Sequence, residues 1–173
     1  MGQKIDYPAF IAKLDKRLEE YFNSQSENVC CKKGCSSCCE KGDYPLSEIE
    51  LEYMMQGYIS LDNSTKTQIQ ENIKDIQKGG KCPFLINSVC SIYPYRPIIC
   101  RTHGLAYLMK DGRVNVPYCV NDGKNYSKVY QNGEILTEPV KENLSTLNLL
   151  KDAGIECTVR NLYDWLGVNV ELK

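Results

Sequence analysis

Histidine, tryptophan and phenylalanine are scarce, at one, one and three residues. A single histidine, His103, leaves no basis for a nucleophile–base triad, and no nucleophile-elbow pattern accompanies it. Zinc fingers of the cysteine–histidine type are disfavoured for the same reason, and they also need a basic face. Charge of either sign is not in excess: 21 Lys and Arg stand against 22 Asp and Glu, for a net charge of −1. Nucleic acids and membrane surfaces therefore lose their electrostatic attraction and are not expected partners. No stretch approaches the ~18 apolar residues of a membrane span. The N-terminal stretch is charged at Lys4, Asp6, Lys13, Asp15 and Lys16, so it lacks the apolar run of a secretory signal. Asp6 stands where a myristoylation signal at Gly2 needs Ser or Thr. Internal repeats, low-complexity segments and a glycine-rich loop for S-adenosylmethionine are all missing. A cytoplasmic protein is expected.

Cysteine is abundant, with ten in 173 residues. In a reducing compartment, clustered thiols serve as metal ligands or redox groups more often than as structural disulfides. The length suits a single domain over residues 1–173, with a cysteine-cluster core at about 30–119 between N- and C-terminal helices. At 42% apolar and 25% charged residues, the composition is that of a globular chain.

The expected fold is mainly α with a small β component, an irregular helical domain wrapped around cysteine-rich loops. Asp6 caps a first helix, with Pro8 in its first turn and Phe10, Ile11, Leu14, Leu18, Tyr21 and Phe22 at helical spacing. Ser47 and Glu50 form a capping box, and Leu46 and Leu51 a hydrophobic staple. That helix runs to about Tyr58 and buries Ile49 and Met54, with Leu51 and Met55 beside them. A third starts near Ser64 or Thr65, buries Ile69, Ile73 and Ile76, and stops at Gly79-Gly80. The stretch from Cys82 to Cys100 is broken by Pro83, Pro94 and Pro97 and reads as loop. One small hairpin spans Leu105 to Cys119, turning on Asp111-Gly112, and Asn121 to Gly133 is loop. Helices over 138–153, with Val140, Leu144, Leu147 and Leu150 inward, and over 158–166 close the chain.

The cysteines fall into two clusters. The first runs Cys30-Cys31-Lys32-Lys33-Gly34-Cys35-Ser36-Ser37-Cys38-Cys39; the second holds Cys82, Cys90 and Cys100; Cys119 and Cys157 stand apart. Thiolates are soft ligands that select zinc, copper(I) and iron–sulfur clusters. Spacings of two to four residues, as in Cys31, Cys35 and Cys38, let one turn aim two sulfurs at an ion with Zn–S near ~2.3 Å. Neighbouring side chains diverge, so Cys38 and Cys39 are expected in different coordination spheres, or one of them in the core. Cys31, Cys35, Cys38, Cys39, Cys82, Cys90, Cys100 and Cys119 divide into two four-thiolate sites; one site with spare thiols also fits. Four thiolates on a divalent ion carry a net charge of about −2, which needs nearby cations. Lys32, Lys33, Lys81, Arg96 and Arg101 flank the clusters. Arg96 and Arg101 are candidates to donate to sulfur or to a carboxylate in support of the ligands, and His103 is a further outer candidate. The same cations would also make an uncoordinated cysteine reactive.

The run Cys31-x-x-x-Cys35-x-x-Cys38-Cys39, followed by Cys82-Pro83-Phe84-Leu85, Cys90-x-Ile92-Tyr93 and Arg96-Pro97-x-x-Cys100-Arg101, resembles the bacterial cysteine-cluster family described as zinc- or iron-chelating domains. That resemblance covers roughly residues 30–105. It implies chelation of zinc or iron, including iron in an iron–sulfur cluster, by the clustered cysteines. Cys30, Cys119 and Cys157 lie outside the motif. Flagellin lysine-N-methylases look related through a similar cluster, which opens an enzymatic alternative, although little length remains here for a second domain. A metal-free thiol redox protein is the other alternative. No catalytic residue and no protein partner are legible.

Overall fold

The computed structural model describes residues 6–32, 34–76 and 79–167. Lys33, one of the flanking cations, and the charged or acylation-relevant positions before Asp6 lie outside the described residues. In chain order the helices are α1 (Tyr7–Ser24), α2 (Ser37–Glu40), α3 (Glu48–Ile59), α4 (Asn63–Lys74), α5 (Ile98–Thr102), α6 (Thr146–Asp152) and α7 (Leu162–Gly167). The strands are β1 (Pro45–Ser47), β2 (Leu85–Ile86), β3 (Val89–Cys90), β4 (Tyr107–Leu108), β5 (Val114–Asn115), β6 (Tyr130–Gln131), β7 (Glu134–Ile135) and β8 (Val159–Asn161). The fold is mainly α with small β elements. The β content exceeds the single hairpin expected: β2–β3, β4–β5 and β6–β7 are hairpins, and β1 pairs antiparallel with β8. Among the described residues no helix is long and apolar enough to cross a membrane.

The chain divides into two compact units, Met1–Lys32 with Arg101–Glu156, and Lys33–Cys100 with Cys157–Lys173. In the first unit, Asp6 caps α1 by accepting the Ala9 N–H at 3.1 Å, and Tyr7, Ile11, Leu14 and Leu18 are buried along one stripe. A small core forms around Ala106, Val120 and Tyr126. The helix expected over 138–153 begins only at Thr146. Residues before it are claimed by long-range backbone bonds: Val140 N–H donates to Ala106 O at 2.9 Å and Val140 O accepts Leu108 N–H at 2.8 Å. A peptide that serves as a bridge to β4 cannot also close helical turns. The shifted register leaves Leu147 58% exposed, against the inward position expected, and buries Leu149 and Leu150.

The second unit holds the larger core, with Tyr44, Leu46, Met54, Tyr58, Ile69, Phe84, Leu85, Ile92, Leu162, Tyr163 and Leu166 buried together. The capping box of α3 is present, with Leu46 buried and Leu51 packed on the same core as a staple requires. Ile49 is half-buried, and Glu50 is fully buried in its place. α4 is capped by Asp62 and ends at Lys74, before the glycine pair expected to stop it. The stretch 158–166 is not one helix. Val159–Asn161 extends to pair with Pro45–Ser47, and only then does α7 begin. Residues 82–100 are more ordered than a loop, since they fold into the β2–β3 hairpin, a 3-10 turn at Tyr93–Tyr95 and the start of α5.

Candidate metal centre

The second unit joins the two thiol-rich stretches through backbone before any side chain is considered. Cys39 O accepts the Cys82 N–H at 2.7 Å, linking residues that stand 43 apart in the chain (82 − 39). Cys38 and Cys39 ride on α2, whose first turn closes with Cys39 N–H on Ser36 O at 2.7 Å. Cys82 opens the turn that leads into β2, and Cys90 on β3 pairs across to Leu85. The connecting turn places Asn87 and Ser88 at φ of +49° and +61°, the left-handed pair that a two-residue hairpin of type I′ demands. Cys100 sits on α5, where its N–H bonds to Pro97 O at 3.0 Å.

These elements enclose a cavity of about 250 Å³. Six cysteines line it: Cys35, Cys38, Cys39, Cys82, Cys90 and Cys100. Met54, Phe84, Leu85 and Ile92 supply much of the apolar wall, and among the described residues Arg96 is the charged one in the lining. The Arg96 guanidinium stacks over the Tyr93 ring, 3.5 Å from its centroid, and its Nε–H donates to Tyr93 O at 2.9 Å. Its positive charge favours the thiolates of Cys90 and Cys100.

Electrostatics follow from that packing. Burial pushes the Cys82 thiol up to about 12, with the neighbouring Cys90 and Cys38 adding to the rise. Burial also raises Cys90 and Cys100, and Cys82, Cys38 and Cys90 each push Cys100 further. Cys39 is held far above the ordinary thiol value, first by its hydrogen bond with Cys38, then by burial and by the charges of Cys38, Cys100 and Cys82. Without a cation, this packing favours the protonated thiols of Cys39, Cys82, Cys90 and Cys100. A soft cation is what would make several thiolates stable together in an apolar wall.

Adjacent cysteines do not diverge here. The Cys38 and Cys39 sulfurs lie 3.9 Å apart and both residues line the same cavity. Cβ directions 100° apart on a helix still leave side-chain rotation free to bring two sulfurs together. The spacing is near the ~3.8 Å sulfur–sulfur edge of a tetrahedron drawn at a Zn–S length of ~2.3 Å. Cys39 also packs against the core, as the other expectation had it. Among the described residues, no three His, Cys, Asp or Glu side chains are drawn together as a ready-made ion site.

The remaining candidates are not among the residues that line this cavity. Cys31 and Cys119 belong to the first unit and are not among the residues lining the cavity. Cys31 Sγ accepts an N–H of Asn125 at 2.9 Å, and Cys119 is buried in a 3-10 turn, Tyr118–Asp122, and not at a strand end. Arg101 pairs with the Asp15 carboxylate of α1 at 2.7 Å, so a carboxylate is its partner. His103 packs on Tyr118 with ring centroids 5.0 Å apart. Its Nε2 is buried without a hydrogen-bond partner among the described residues, and burial lowers its pKa. Cys157, in the second unit, lies beside Ser47 and Glu50 and not in the cavity lining.

Glu50 escaped the sequence reading as more than a cap. Its Oε2 accepts Ser47 N–H and Oγ–H at 2.7 and 2.8 Å, while Oε1 accepts Ile98 N–H at 2.9 Å. The helix-capping pattern signals the first two bonds, and no local pattern signals the third.

No curated protein and no solved structure matches the chain. One family model does, over residues 30–138, which is more than half of the sequence and includes all six cavity cysteines. The chain belongs to the CxxCxxCC family, whose description is "Putative zinc- or iron-chelating domain".

Proposed function

We propose that this protein chelates zinc or iron through thiolates drawn from Cys35, Cys38, Cys39, Cys82, Cys90 and Cys100, in a reducing compartment such as the cytoplasm. One observation carries the proposal: six cysteines from separate stretches line a single cavity of the second unit. All ten cysteines are thiols and not disulfides, which suits a reducing setting. Family membership supports a metal ion as the partner. The cysteine donors in the lining are soft sulfurs, and they favour a soft or borderline metal over magnesium or calcium.

An iron–sulfur cluster is a second form of the same function, and the cavity's size favours it. A void of about 250 Å³, with sulfurs spread around it, suits a multi-atom core at least as well as one ion. Zinc, iron and acid-labile sulfide measured on anaerobically purified protein test both. Stoichiometric zinc in a colourless protein supports a zinc centre. Iron with matching sulfide and a broad brown absorbance supports a cluster. Metal-free protein that binds neither zinc nor iron on addition would sink the proposal.

A further inference from the structure

The cavity of the second unit holds one more sulfur than the chelation reading uses. Met54, on α3, is 3% exposed and lines the same cavity as the six cysteines. Among the described residues the lining contains no imidazole and no carboxylate; its other polar side chains are Ser88, Ser91, Tyr93 and Arg96.

Metal ions differ in their use of such a set. Thiolates serve zinc, iron–sulfur clusters and copper(I) alike, whereas the neutral thioether is a soft donor suited to copper(I). Zinc draws its ligands from thiolate, imidazole and carboxylate, and iron–sulfur clusters draw theirs from thiolate and, in some, imidazole. Met54 therefore separates the metals where the cysteines do not. Packing by itself also accounts for a buried methionine, because a flexible thioether fills gaps, and Met54 shares a core with Tyr44, Leu46 and Tyr58. Two observations carry a ligand role beyond packing. The first is charge. Copper(I) on two thiolates and a thioether carries about −1, which the single positive residue of the described lining, Arg96, balances. Zinc on four thiolates carries about −2 and leaves an excess within an apolar wall. The second is geometry. A trigonal ion with bonds of ~2.3 Å to sulfur sets its ligands ~4.0 Å apart, and a tetrahedral one sets them ~3.8 Å apart. The Cys38 and Cys39 sulfurs, separated by 3.9 Å, suit either, and Cys39 packs on the core to which Met54 belongs. The further donor decides which ion the pair holds.

Resting on the chelating cavity proposed above, we infer that it takes up copper(I), held by cysteine thiolates with the Met54 thioether as a further ligand. Each thiol that binds releases one proton, and copper enters and stays in the +1 state, so no electron moves.

Anaerobic titration of reduced full-length protein with tetrakis(acetonitrile)copper(I), in competition with bathocuproine disulfonate, measures the copper(I) affinity, with a zinc titration of the same samples as reference. Thiolates bind copper(I) well on their own, so Met54 is the deciding variable. Met54→Leu nearly conserves the volume of the wall and removes its sulfur. It is expected to lower copper(I) affinity about tenfold while zinc affinity stays within about twofold. Met55→Leu, outside the cavity lining, is expected to change neither. In wild-type protein with isotope-labelled methionine methyl groups, the Met54 signal should move several times further with copper(I) than with zinc, which reads the contact even if Met54→Leu fails to fold. Unchanged copper(I) affinity in Met54→Leu, an equal loss for both ions, or a methyl signal that responds alike to both would each overturn the inference and leave chelation in place. Protein that binds none of zinc, iron and copper(I) would remove the chelating reading and this inference together.

Discussion

The buried carboxylate of Glu50 accepts the backbone N–H of Ile98 at 2.9 Å, two residues before Cys100. The same side chain, 0% exposed, caps α3 through Ser47. One acid thus ties the start of α3 to the start of the helix that carries a cavity cysteine. Glu50→Gln turns one acceptor into a donor facing Ser47 N–H, and hydrogen bonds to a charged group contribute about 1.5–3 kcal/mol. The expected outcome is a loss of about 2 kcal/mol in urea unfolding of the metal-free protein, together with reduced metal occupancy. Unchanged occupancy at reduced stability would confine Glu50 to a capping role.

Replacing Cys82 or Cys100 by Ser should lower bound metal and destabilise the fold, because each sulfur lines the cavity from a different element. Cys35→Ser should lose metal as well. Cys157→Ser should leave metal content as it is, since Cys157 lies by Ser47 and Glu50 outside the cavity lining. Elemental analysis of the four variants decides; equal metal in all of them removes the assignment.

Acid should release the metal. Binding exchanges thiol protons for the cation, and burial already biases Cys82, Cys90 and Cys100 toward the protonated form, so affinity falls as pH falls. In the metal-free protein the sign reverses. Cys82 has a folded-state value of about 12 against an ordinary 9.0, so its contribution is complete below pH 9.0 and is lost as pH rises toward about 12. Competition with a chromogenic chelator reads the first effect. Thermal unfolding of metal-free protein between those two pH values reads the second.

Gly57→Ala should destabilise, against the usual preference of helices for alanine of about 1 kcal/mol. A Cβ at Gly57 in α3 would meet the Tyr95 ring at 2.7 Å, and that ring belongs to the turn that precedes Arg96. Overpacking of this kind costs about 1–3 kcal/mol. At ~2–4 °C per kcal/mol for a chain of this size, calorimetry should show a Tm lowered by several degrees. A raised Tm would mean that Tyr95 moves aside freely.

Stripping the metal should lower thermal stability more for the second unit than for the first. Ligands of a thiolate centre have no preformed geometry in the unfolded chain, so binding free energy adds to folding. Hydrogen exchange with and without chelator, followed at amides near Cys39 and Cys82 and at amides of α1, checks this. Equal change in both would argue against a centre confined to the second unit.

Several features were readable locally. Asp6 with Pro8, and Ser47 with Glu50, mark helix starts because a cap satisfies amides within one turn. The thiol clusters announce metal chemistry because short spacings among soft ligands have few other uses. Other features were not readable. Val159–Asn161 has a helical-looking pattern, yet it extends because Pro45–Ser47, over a hundred residues earlier, offers it an edge. Val140 likewise gives its peptide groups to β4 instead of to a helix.

Local sequence thus determined where α1, α3 and α4 begin, which residues are soft ligands, and the family to which the chain belongs. Tertiary structure alone decided which cysteines share a cavity and which bond to Asn125. The physical reason is reach. Caps and spacings act within a few residues, whereas the place of a sulfur depends on backbone bonds such as Cys39–Cys82 and Glu50–Ile98, which close only when distant segments pack.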